Sequence, residues 1–88
     1  MHYLLIYDIT EDRARTKVAD LCLDYGLSRI QYSAFLGSIP RTLQEELLLK
    51  IQRVLRGKTA DLRLIPLCDR DWTQSKHIHF ASKEATDV

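Results

Sequence analysis

Asp8 is the first side chain placed where an acid invites a chemical reading, because it closes the apolar part of LLIYDIT, residues 4–10. A carboxylate held at a strand end can bind a hard cation such as Mg2+, which takes one or two carboxylates and otherwise keeps waters and substrate phosphate oxygens. The plainer use of a lone aspartate there is to end a strand or form a turn, although Thr10 stands ready to serve as the next helix cap. One aspartate is a weak metal site. Two of them, related by a two-fold axis near the strand end, form a paired-carboxylate site that could hold a metal to polarise a phosphodiester and acidify a bound water.

Arg13, Arg15 and Lys17 follow in the first turns of the helix after Asp8. The macrodipole disfavours cations at that end, so a phosphate counter-charge is one explanation. A solvated face balanced by Glu11, Asp12 and Asp20 is the other. Arg13 and Lys17 share a helix face and Arg15 lies round from them. His77 and His79 share a face if their segment is a strand, but with no third ligand at suitable spacing they read as surface or interface histidines. Asp69 and Asp71 read as a polar turn leading to a buried Trp72. Cys22 and Cys68 lack ligand or CxxC spacing and read as buried free thiols. The chain contains no Gly-rich phosphate loop, no Ser/His/Asp order and no cysteine nucleophile beside a base.

The elements that must position these residues follow from periodicity. HYLLIYD is apolar on both alternating faces, as in a strand buried on both sides. TEDRARTKVADLCLDYG has Ala14, Val18, Leu21, Cys22 and Tyr25 at helical spacing, with Thr10 as cap and Gly26 as stop. SRIQYSAFLGSI alternates as strand, read as two short strands bent at Ser33-Ala34. A second helix is expected over about 41–56, with a Thr42/Glu45 capping box and Gly57 closing it. ADLRLIPLC is a further strand, and Pro66 assigns it to an edge or bulge. A last short strand is expected in KHIHFA.

With 88 residues, 45% of them hydrophobic and 28% charged, the chain is an ordinary globular domain, and it has no apolar run long enough for a membrane span. We expect one domain over residues 1–80, a polar flexible tail over 81–88, and, since MHYLLIYD is not a signal peptide, a cytoplasmic location. The net charge of +1 argues against nucleic-acid binding by bulk charge alone and leaves a local basic stripe or a metal to do that work. The order of elements is α+β, a ferredoxin-like βαββαβ sandwich with an antiparallel sheet. Two helices cover one sheet face only, so two-faced apolar strands imply a homodimer packed through the sheet faces.

The run YLLIYDIT, the helix with R-x-K-V-A and the segment GLSRIQYSAFLGSI together resemble the small CRISPR-associated protein of the spacer-acquisition module, the Cas-two family, over nearly the whole chain to about residue 80. The resemblance implies a ferredoxin-like homodimer whose last strand crosses to the partner's sheet. It implies antiviral defence through spacer acquisition, with metal-dependent endonuclease activity on RNA or double-stranded DNA. It also implies a bridging role between dimers of the CRISPR integrase. Position by position, Asp8 matches the metal-binding and catalytic aspartate, with Mg2+ or Mn2+ as cofactor, and Tyr7 matches the aromatic before it. Arg15 matches a basic residue of the first helix. Arg29, Ser33 and Phe35 match the segment beside the site. Lys17 stands where many relatives carry arginine, keeping the charge but losing the bidentate fork. Arg13, Arg15, Lys17 and Arg29 are the expected nucleic-acid contacts.

Overall fold

In the computed structural model, which describes residues 1–81, alternation at the start of the chain becomes strand β1 (His2–Ile9). Helix α1 (Asp12–Asp24), β2 (Ser28–Gln31), β3 (Ala34–Ser38), α2 (Arg41–Leu55), β4 (Ala60–Leu67) and a short α3 (Asp69–Thr73) follow. The strands form one sheet in the order β2-β3-β1-β4, with every neighbouring pair antiparallel. This is the βαββαβ arrangement expected from the sequence, and its core strand is β1.

Tyr3, Leu5, Tyr7 and Ile9 point from β1 into the buried side, where they meet Phe35 of β3, Val18 and Cys22 of α1, and Leu47 and Ile51 of α2. Period two in the strand and about 3.6 in the helices put these residues on facing surfaces. The opposite sheet face is barely covered. On it His2, Leu4 and Ile6 are half-buried, Asp8 is exposed, and Ile65 of β4 is 39% exposed. Pro66 lies in β4, an edge strand that pairs only with β1, as a missing N–H requires.

The break between β2 and β3 falls at Tyr32-Ser33, and a register shift between Arg29 and Gln31 distorts β2. Both helix stops are glycines in left-handed backbone, Gly26 at φ 95° and Gly57 at φ 79°, a conformation that costs glycine nothing.

The helix starts differ from expectation. Glu11, not Thr10, occupies the N-cap of α1, because the Thr10 hydroxyl instead donates to the Thr59 carbonyl at 3.1 Å and ties the end of β1 to the start of β4. Helix α2 begins two residues sooner than a Thr42 cap allows. Pro40 at φ −60° holds the N-cap, Thr42 falls inside the first turn, and Glu45 pairs with Arg41 at 3.3 Å. Trp72 is half-buried, stacked on His2 with ring centroids 4.2 Å apart. Residues 69–73 form a turn of helix capped by the Cys68 sulfur, which accepts from the Asp71 amide; Cys68 is exposed, not buried.

KHIHFA forms no strand within this single chain, and Ile78 and Phe80 are 78% and 88% exposed. A strand needs a neighbour to satisfy its backbone groups, and this segment lies against no edge of its own sheet. Of the expected tail over 81–88, all but Ala81 lies outside the described residues.

Candidate metal and nucleic-acid site

Asp8 stands one residue before the end of β1, on the face turned away from the helices. In the antiparallel register it lies directly opposite Asp61 of β4. Opposed residues of an antiparallel pair share a face with their Cβ atoms about 5 Å apart, and like charges there repel. Arg63 relieves Asp61 in part, Nε to Oδ2 being 3.5 Å. A cavity of about 290 Å³ opens at this spot, lined by Ile6, Tyr7, Asp8, Ser33 and Asp61. The Ser33 carbonyl accepts the Tyr7 amide at 3.1 Å and brings the β2–β3 turn beside the aspartate.

The donor set is oxygen only, which fits magnesium or manganese and not a soft metal. Among the described residues no cluster of three or more His, Cys, Asp or Glu is gathered, so one chain offers the pair Asp8 and Asp61. His77 and His79 are exposed, with ring centroids 6.4 Å apart.

The basic residues of α1 split between two places. Arg15 is held against the β2–β3 turn: its guanidinium donates to the Ile9 carbonyl at 2.8 Å, pairs with Asp12, and lies 5.9 Å from the centre of the Tyr32 ring. Tyr32 first and Asp12 second hold its charge more firmly than usual. Arg29 joins from β2, 5.5 Å from the Tyr32 ring and 5.1 Å from Phe35. Phe35 in turn stacks near Tyr7, whose hydroxyl is buried with no hydrogen-bond partner among the described residues. Arg15, Arg29, Phe35 and Tyr7 thus gather around Tyr32 on the helix-covered side of the β2–β3 turn, and Ser33 of that turn lines the Asp8 cavity on the other face.

Arg13 and Lys17 point elsewhere, into a cleft of about 650 Å³ between α1 and the end of α2. Arg53, Arg56 and Lys58 line its other side. Lys58 pairs with Glu11 at 2.8 Å, and that bond lowers the Glu11 carboxyl below the usual range.

Sequence reasoning missed Asp61, Tyr32 and the α2 half of the cleft. Alternation in ADLRLIPL puts Asp61 and Arg63 on one face, but only the register sets Asp61 beside Asp8. Cys22 is excluded as a nucleophile: burial pushes its thiol up to about 12.

A sequence model of the family described as CRISPR associated protein Cas2 matches residues 1–75. The chain is 50% identical over 76 residues to a CRISPR-associated endoribonuclease Cas2 of Chloroflexus aurantiacus, a match covering 86% of this chain and 89% of that one. It is 43% identical over 70 residues to part of a Cas1/Cas2 endonuclease fusion of Thermoproteus tenax, covering 80% of this chain and 26% of the fusion. Its fold overlays the crystal structure of Streptococcus pyogenes Cas2 with a TM-score of 0.75 at 24% identity, over 90% of this chain and all of that one. Fold, family match and relatives agree, and this chain belongs to the CRISPR-associated protein Cas2 family.

Proposed function

We propose that two copies of this chain form a two-fold dimer that serves CRISPR spacer acquisition as a metal-dependent endonuclease of RNA or double-stranded DNA. The observation that carries this reading is the position of Asp8: exposed, near the end of an inner strand, on a sheet face that α1 and α2 leave uncovered. Packing that face against a second copy brings two Asp8 carboxylates toward one axis. Asp61 stands directly across the ladder from each.

In this reading Asp8 holds the cation, and Asp61 adds negative charge that favours its binding. A bound Mg2+ or Mn2+ supplies Lewis-acid chemistry, polarising a phosphodiester and acidifying water. Arg15 and Arg29, fixed over Tyr32 and Phe35, present guanidinium groups to the phosphates flanking the bond to be cut. Ser33 and Phe35 hold the turn that shapes the cavity. The C-terminal segment supports the dimer: Ile78 and Phe80 alternate with His77 and His79, so as a strand added to the partner's sheet edge it buries its apolar pair.

Cleavage of RNA and duplex DNA tests this. The native protein with added Mg2+ or Mn2+ is expected to cut at least one of them, and Asp8→Asn to be slower by at least about 100-fold, a loss typical of removing an essential group. Equal cleavage by both proteins overturns the reading and points to a contaminating nuclease.

A second reading is favoured by the fusion of a Cas2 relative to Cas1 in one Thermoproteus tenax chain. Here the dimer is a non-catalytic bridge that holds the CRISPR integrase and a DNA fragment together. Co-purification with the integrase that survives Asp8→Asn, without metal-dependent cleavage by either protein, selects the bridge.

A further inference from the structure

The sheet face that α1 and α2 leave open differs between its two ends. Asp8 and Asp61 stand exposed at one. At the other, His2 carries Trp72 of α3, with ring centroids 4.2 Å apart and planes 16° from parallel. His2 shares that face with Leu4, Ile6 and Asp8 by the alternation of β1. It lies opposite Leu67, the last residue of β4, and α3 begins two residues later, so the helix is closely tied down. The Cys68 sulfur caps it, and the Trp72 amide donates to the Cys68 carbonyl at 2.9 Å. Stacked rings make the main contact: His2 Nδ1 is buried with no hydrogen-bond partner among the described residues, and Asp69 stands 3.7 Å away.

We infer that α3 is a stop on this sheet face: by occupying the His2 end through Trp72, it confines a second copy to the Asp8 end and so sets the two Asp8 carboxylates together. Sheets pack face to face about 10 Å apart. A helix with its side chains is itself about 10–12 Å across, so a second sheet laid over α3 would be lifted off the face. A two-fold axis centred on the face and running across the strands would set each α3 against the other copy's Asp8. An axis along the strands would set α3 against α3. Overlap at the Asp8 ends avoids both, since His2 lies about 20 Å up the strand from Asp8. Trp72 is then a positioning residue for the metal site, acting through His2 and the packing of the copies. The inference rests on the two-fold dimer and shared Asp8 site proposed above.

The test reads dimer geometry and metal binding separately. A spin label is attached through Asp20→Cys, an exposed position of α1, in a chain carrying Cys68→Ser; serine can still cap α3, and Cys22 is buried. Pulsed electron resonance should give one narrow distance between the copies. With Trp72→Ala added, light scattering should still show a dimer while the distance distribution broadens or shifts. Mn2+ binding by the unlabelled Trp72→Ala protein should weaken about 10-fold or more, the usual cost of losing a residue that orients metal ligands. Trp72→Phe, which keeps a flat ring on His2, should restore both. An unchanged distribution overturns the inference, as does a changed one with Mn2+ binding within twofold of native. A folded but monomeric Trp72→Ala protein also overturns it, because α3 would then be part of the contact itself. Should circular dichroism show Trp72→Ala unfolded, His2→Leu, which removes the stack and keeps β1 apolar, is read by the same criteria. A native monomer overturns the dimer reading and this inference with it. A native dimer that binds no Mn2+ overturns the metal reading alone, and the distances then decide.

Discussion

At the scale of single residues, Asp8 shows how an ordinary side chain gains meaning from its neighbours. Alone it is a strand-ending acid; across the ladder stands Asp61, and Ser33 of the β2–β3 turn lines the same cavity. Spacing indicated Asp8 only as one of two readings, and the family motif supplied the rest. Asp61 was invisible because its pairing depends on the β1–β4 register, which no local pattern encodes. Cys22 yields a prediction of its own. Its thiol is raised by burial to about 12, against about 8.5 when exposed. The stability it contributes is therefore complete below pH 8.5 and is lost as pH rises toward 12, at up to about 1.4 kcal/mol per pH unit. Urea melts across that range should show the native protein falling faster than Cys22→Ala. Parallel curves would mean that the thiol ionises equally well in the folded state.

At the scale of elements, both helices, the split of residues 28–39 into β2 and β3, and edge strand β4 were legible in hydrophobic period and in Gly and Pro positions. Helix starts were less so. Thr10 and Thr42 have the right chemistry for caps, but tertiary contact claimed Thr10 and Pro40 fixed the start of α2. The α2 half of the basic cleft was missed because Arg53 and Arg56 read locally as a favourable helix end, and only the packing of α1 against α2 brings Arg13 and Lys17 to face them. Gly37 tests the element packing. A Cβ there would lie 3.0 Å from Leu27 Cδ2 and 3.2 Å from Leu27 Cα, too close to be absorbed by a side-chain shift alone. Gly37→Ala is expected to cost about 1–3 kcal/mol, read as a lower midpoint in chemical denaturation. An unchanged midpoint would show that the α1–β2 connection yields more readily than this close approach implies.

At the scale of the whole molecule, two apolar features are left incompletely covered among the described residues: the sheet face bearing Leu4, Ile6 and Ile65, and the segment carrying Ile78 and Phe80. The proposed dimer would satisfy both, with faces packed together and C-terminal segments added to the partner's sheet. Replacing Ile78 and Phe80 with serine is expected to shift the dimer to monomer in light scattering at micromolar concentration; a retained dimer would place the interface elsewhere. The central claim is that the two copies share one metal site through Asp8. Titration calorimetry with Mn2+ tests it most directly: one ion should bind per two chains, and binding should vanish in Asp8→Asn while the dimer persists. One ion per chain, or binding that Asp8→Asn leaves unchanged, would contradict it.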